Sequence, residues 1–288
     1  MALWANWIMA GLALTGTGAA LALRIGMRQT AREMLRRQEQ LLRLPVAARS
    51  RPFGIGELAQ LPVPVARYLR YALRDGQAAV RVARYRQRGT LRIAPGSKRW
   101  LQFDAQQAIV PSAHSFLWNA RVGLAPLLHL HAQDAYCAGQ GSARISLLSA
   151  MTVAESQPCI ELNAASLHRY LAEAVWYPTA LLPSAGVVWS AIDEQRALAT
   201  LSNAGITVSL EFRFNAAGEV VAVHTPARWR SVKDGFELMP WEGRFRDYQE
   251  IAGMRVPVEA EAGWYVADQW HAVWKAQIRD IAYEFPSI

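Results

Sequence analysis

Two alternating apolar–polar runs flank the turn NAAGE in the segment ITVSLEFRFNAAGEVVAVHTPARWRS, residues 206–231. A period of two around a short Gly-containing turn is the signature of an antiparallel hairpin. The device recurs in EGRFRDYQEIAGMRVPVEAEAGWYV, residues 242–266, with its turn near Ala252-Gly253, and QWHAVWKAQIRDIAYEF extends it to residue 285. Upstream, YRQRGTLRI places Arg86, Arg88, Thr90 and Arg92 on one face. RWLQFDAQQAIV, SFLWNARVGL and YCAGQGSARISLLSAMTVAES follow with the same strand character. No segment reads as a βαβ unit and there is no Gly-rich phosphate loop. The expected class is therefore α+β: a large, curved, half-barrel-like antiparallel sheet with a few helices packed on one face, preceded by an N-terminal transmembrane helix.

That first helix is read from Leu3–Leu23, LWANWIMAGLALTGTGAALAL, which carries no charge over 21 residues. At about 1.5 Å per residue it matches the ~30 Å hydrocarbon core of a bilayer. Trp4 and Trp7 stand where an interfacial aromatic belt would be. A cleaved signal peptide is the competing reading, since Ala20-Leu21-Ala22 resembles a cleavage site; no basic residue precedes the apolar run, which favours an uncleaved anchor. Arg24, Arg28, Arg32, Arg36 and Arg37 follow at once. Positive flanks stay in the cytoplasm, which would put the large domain there and the anchor in the inner (plasma) membrane.

The formal charge of +8 is divided unevenly. Arg24 to Arg99 holds 18 basic and 4 acidic residues, whereas the chain beyond holds 13 basic and 19 acidic. The basic character thus belongs to one segment, which argues against nucleic acid as a partner and for an anionic membrane surface. Residues 27–44 stay helical in pattern, with Met27, Ala31, Met34, Leu35, Leu41 and Leu42 on one stripe. The segment lies along headgroups or forms a solvated stalk. The divisions expected are 1–23 anchor, 24–56 basic helix and linker, and 57–288 sheet domain.

LPVPVARYLRYALRDG, residues 61–76, reads as a short helix with Pro64 in its first turn, Gly76 as its stop, and Arg67, Arg70 and Arg74 on a basic side. LPVPVARYLRYAL, RQRGTLRI, RYLAEAVWYPTALLP and VVWSAIDEQRALATL, in this order behind an apolar N-terminal segment, resemble an uncharacterised bacterial family known only as a domain of unknown function. The resemblance runs from Leu61 onward through most of the chain and implies no activity, substrate or catalytic residue.

The candidate site lies in HRYLAEAVWYPTALLP, residues 168–183. Asn163 is a candidate N-cap for this helix and Pro178 ends it. Leu167, Tyr170, Leu171, Ala174 and Val175 make one apolar face, and Arg169, Ala172, Glu173 and Trp176 make the other. A polar face that carries Trp176 and leads into Tyr177, Leu181 and Leu182 needs a partner on both sides. It is core, the wall of an apolar pocket, or a catalytic helix with Glu173 as the acid. Arg228 and Arg230 share a strand face and suit an anionic headgroup or carboxylate through the guanidinium fork. His129 and His131 at i, i+2 near Asp134 supply two metal ligands without an identifiable third, so no metal and no cofactor is assigned. Cys137 and Cys159 read as buried apolar thiols, a single disulfide being the alternative. Three functional classes follow. The first is a membrane-tethered, non-enzymatic binding domain for an apolar or amphiphilic ligand such as a lipid. The others are an envelope scaffold and a hydrolase.

Overall fold

The computed structural model describes residues 24–44 and 52–286, so the expected anchor at Leu3–Leu23 lies outside the described residues. Among those described, no helix is long and apolar enough to cross a membrane. Thirteen strands form a single antiparallel sheet. Strands β1 (Val82–Leu91), β2 (Leu101–Val110), β3 (Ser115–Ala125), β4 (Leu128–Cys137), β5 (Gln140–Leu147) and β6 (Met151–Ser156) meander from the centre to one edge. The chain then crosses to the opposite edge through helix α3 (Ile160–Glu173) and three short 3-10 turns spanning Ala174–Ala185. Strands β7 (Val187–Ala191), β8 (Arg196–Asn203), β9 (Ile206–Phe214), β10 (Val220–Val232), β11 (Gly235–Ile251), β12 (Met254–Val266) and β13 (Gln269–Glu284) meander back. There β13 pairs with β1, from Val82 opposite Glu284 to Leu91 opposite Trp274.

Tight turns set this register. Ala138-Gly139, Ala204-Gly205 and Ala252-Gly253 all take positive φ at both residues, the twist that two-residue hairpins require. The first two also bring the flanks of the half-barrel together. A Cβ on Gly139 would lie 2.2 Å from that of Ala204, and Asn203 donates to the Tyr136 hydroxyl across the same gap at 3.1 Å.

The crossing segment fills the concave side. Helix α3 packs against β4 and β5 on one flank and β9 and β10 on the other. Its start differs from expectation: Cys159 is the N-cap, its Sγ accepting from the Leu162 amide at 3.5 Å. Asn163 sits inside the helix and accepts from the Gly141 amide at 2.7 Å, which ties α3 to β5. Leu167, Tyr170, Leu171, Ala174 and Val175 are all buried in the main core, as their spacing requires. Prolines 178 and 183 break the remaining chain into 3-10 turns because neither can donate a backbone hydrogen bond. Helix α2 (Val63–Ala72) begins with Pro64 in its first turn and ends before Gly76; Val65, Tyr68, Leu69 and Ala72 are its buried side. Phe53, ahead of the expected boundary at residue 57, is already part of the core.

The basic helix α1 (residues 24–42) lies on the sheet's outer face. Leu41 packs with Val82, Ala108, Val110 and Leu117, and Glu33 bridges Arg37 and Arg144 at 2.7 and 2.8 Å. The expected apolar stripe divides: Leu41 is buried, whereas Met27 and Leu35 are exposed. The outer face beneath the helix is largely polar, so Glu33 and Arg37 dock there with Leu41. Arg24, Arg28, Arg32 and Arg36 remain on the exposed side.

Candidate functional site

The second face of α3 meets the sheet through its polar groups, Arg169 bonding to Asp134 on β4 and Glu173 accepting from Gln107 on β2. Arg169, Ala172, Glu173 and Trp176 all line one wall of a pocket of about 220 Å³ on the concave side. The rest of the lining includes Trp118 and Asp134 from β3 and β4, Arg228 from β10, Trp241, Gly243 and Phe245 from β11, Trp264 from β12 and Trp274 from β13. Five tryptophans and a phenylalanine therefore converge on one space. Strand alternation puts them there. Trp241 is paired with Trp264, Gly243 with Ala262 and Phe245 with Ala260, so every second residue of β11 and β12 points inward. At Gly243 a Cβ would stand 3.1 Å from the Trp241 ring and 3.3 Å from Val223, so the missing side chain leaves room for that indole.

Buried polar groups form a hydrogen-bonded chain that joins two residues of the pocket wall, Trp118 and Glu173. Trp118 Nε1 donates to Gln87 at 2.7 Å, Gln87 donates to Gln107 at 3.1 Å, and Gln107 donates to Glu173. Arg169 donates to Glu173 at 2.7 Å and to Asp134 at 2.8 Å, with its guanidinium over the rings of Phe116 and Trp118. Burial opposes a charged Arg169, but Glu173 and Asp134 more than offset this and raise its pKa above the ordinary guanidinium value. Burial raises the Asp134 carboxyl, and Arg169 only partly offsets it. The Asp134 side chain is 38% exposed and faces the half-open pocket.

Arg228 is held differently. Its guanidinium lies over Trp241 and Trp264, 4.7 and 5.5 Å from the ring centres. It donates from one Nη to the Ala165 carbonyl at 3.1 Å. Its Nε is buried with no hydrogen-bond partner, and among the described residues it makes no ion pair within 4.0 Å. Burial and then the like charge of Arg169 lower its pKa to about 10.

The structure thus brings Arg169, Glu173, Trp176 and Arg228 together. Tyr177, Leu181 and Leu182 are buried behind them in the core, and the Tyr177 hydroxyl donates to the Tyr170 carbonyl at 2.9 Å. Arg230 sits beside the pocket, 5.9 Å from Trp264, and is ion-paired with Glu237 at 3.1 Å. His129 and His131 do not join Asp134. Arg121 is paired with His131 and Trp118 with Asp134, so the histidines lie on the outer face and Asp134 on the inner one. Cys137 and Cys159 are free and half-buried. Sequence reading grouped Asp134 with the histidines and missed Trp118, Trp241, Trp264 and Trp274. For the last three the inward parity within each hairpin was the available signal.

The profile of one family covers residues 59–283, about four-fifths of the chain. The chain belongs to the family of unknown function DUF6920. No curated protein matches this DUF6920 member. Among solved structures it is similar to a LolA superfamily protein from Nitrosomonas europaea, at 9% identity and a TM-score of 0.38, over 78% of this chain and 93% of that one. It is also similar to a beta-barrel-like protein of domain of unknown function DUF1849 from Brucella abortus, at 10% identity and a TM-score of 0.22, over 72% and 99% of the two chains.

Proposed function

We propose that this domain is a membrane-tethered, non-enzymatic binding module that holds an apolar or amphiphilic ligand in the tryptophan-lined pocket. The observation that carries the reading is the convergence of Trp118, Trp176, Trp241, Trp264, Trp274 and Phe245 on open space. Protein interiors are close-packed, and aromatic faces that line a void forfeit their dispersion contacts. An apolar ligand restores those contacts. The volume of about 220 Å³ lies below the ~300–1,000 Å³ usual for a site that takes up a whole small molecule, so it suits a short chain or the end of a longer one. Glu173 is already committed to Arg169 and Gln107, so it is poorly placed as a free acid. A scaffold would instead present a flat apolar surface without a cavity.

The tether rests on the uncharged run Leu3–Leu23 and on the arginines that continue from it along the exposed side of α1. The same arginines support a cytoplasmic side of the inner membrane for the domain, because positive flanks tend to stay in the cytoplasm. A periplasm-dependent reporter fused after Ile288 should stay inactive; an active fusion would reverse this sidedness.

Native mass spectrometry of the full-length chain purified from cells tests the binding reading. A retained small molecule is expected, and it should be lost on Ala262→Trp, which fills the pocket from β12. A chain that carries nothing and binds no added apolar probe would overturn the reading.

A further inference from the structure

The two arginines of the pocket differ in one respect that bears on the ligand's chemistry. Arg169 is neutralised from within the protein, by Glu173 at 2.7 Å and Asp134 at 2.8 Å. Arg228 shares the same pocket, and no carboxylate lies within ion-pair distance of it among the described residues. Its neighbour on the strand, Arg230, has Glu237 at 3.1 Å, and the outer-face arginines Arg213, Arg244 and Arg246 each have Glu242 or Glu259 within 2.9 Å. Arg121, Arg255 and Arg279 on the described strands also lack an ion pair, but all three are exposed, whereas Arg228 is a partly buried guanidinium with no carboxylate beside it.

Its orientation is fixed beforehand. The planes of Trp241 and Trp264 lie against the guanidinium, and the Ala165 carbonyl takes one N–H. The remaining donors, including the buried and unpaired Nε, are left along the edge of the plane. A stacked guanidinium with free edge donors is the geometry that grips an oxyanion by two parallel hydrogen bonds. Asp134 and Glu173 temper the charge of Arg228 from beyond ion-pair distance, but both are hydrogen-bonded to Arg169 and neither accepts from Arg228, so a neutral apolar end would leave its free donors without an acceptor.

We infer that the ligand is an amphiphile ending in an oxyanion, a carboxylate or a phosphate monoester, whose charged end is held by Arg228 while its apolar part packs against the tryptophans. This rests on the pocket being a ligand site, as proposed above, and adds the sign and chemistry of the ligand's polar end.

The test titrates the full-length protein with dodecanoate, dodecyl phosphate and dodecanol and counts bound molecules by native mass spectrometry. At least one of the two anions should bind ten-fold or more tightly than dodecanol, and the tighter of them names the headgroup. Arg228→Met keeps the apolar stem against the indoles; it should abolish that preference and leave dodecanol binding within about two-fold. Arg228→Lys keeps the charge without the fork and should retain only part of the preference. Equal binding of all three probes, or a preference that survives in Arg228→Met, would overturn the inference while leaving the apolar pocket standing. Failure of every probe to bind would remove the pocket reading and the inference with it.

Discussion

Arg169 is the residue on which most of the pocket's polar order depends. It alone joins Glu173 on the helix to Asp134 on the sheet, and its side chain is 20% exposed. Removing one member of a buried ionic group strands the others, at a cost of about 3–5 kcal/mol. Arg169→Leu should lose stability on that scale in a denaturant melt, and adding Glu173→Leu should recover part of it. A double variant as unstable as the sum of the two single ones would show that the groups are not coupled. A second residue gives a pH signature. Burial, and then the charge of Arg228, lower His168 to about 4 from an ordinary 6.5. The folded state therefore favours the neutral ring. The stability this provides is fully present above pH 6.5 and is lost as pH falls toward 4, by about 3 kcal/mol at ~1.4 kcal/mol per unit. His114, His131 and His224 are lowered too and act in the same direction. The melting temperature should fall over this window, and His168→Gln should make the fall shallower; an identical slope in both proteins would contradict the assignment. The i, i+4 spacing of Arg169 and Glu173 was legible in the sequence, as was the presence of Trp176 on their face. Asp134, Gln87 and Gln107 were not, because cross-strand register brings them there and no local spacing encodes it.

At the scale of elements, the stretch from α3 through the 3-10 turns plugs the half-barrel, and Trp176 fastens it. That side chain is 2% exposed, donates to the Pro257 carbonyl on β12 at 2.9 Å and packs against Tyr85 and Phe245. It is both core and pocket wall. Trp176→Ala should therefore cost about 3–5 kcal/mol in a thermal or denaturant melt. It should also change ligand retention, and a variant unchanged in both would place Trp176 outside the core. Helix breaks at proline, the hairpin turns and the two faces of α3 could all be read from local periodicity and turn chemistry. The direction in which α1 docks could not. Its sequence offers both an apolar and a charged stripe, and the choice depends on Arg144 and the polar outer face, which exist only once β1 to β5 have paired.

For the whole molecule, the sheet divides two kinds of surface. The concave side holds the plug and the tryptophans, and the outer side carries α1 with Arg24, Arg28, Arg32 and Arg36 exposed beside Ile25, Met27 and Leu35. Near an anionic bilayer each such arginine contributes about 1 kcal/mol at low salt. The protein lacking residues 1–23 should bind anionic vesicles in preference to neutral ones, with affinity falling as salt rises. Replacing the four arginines with Gln should abolish the preference in a co-sedimentation assay. Equal partitioning onto both vesicle types by the unsubstituted protein would rule out this surface as a membrane contact. The curved antiparallel sheet was legible from recurring hairpins. Its strand order was not, since nothing local tells β13 to return beside β1.

That return has a kinetic consequence. The central seam joins Val82 to Glu284 and Leu91 to Trp274, so the first strand of the sheet finds its partner in the last. During synthesis, the meander β1–β6 and the plug emerge early, but the inner edge of β1 stays unpaired until β13 has been made. Pairings between residues so distant in sequence close slowly, because the loop entropy is spent before any contact rewards it. A nascent chain in this state offers an open, apolar-backed strand edge, which invites pairing with another chain. The last strand is therefore the one whose arrival completes the sheet, and a chain truncated before it would leave two edges where the finished protein has a seam.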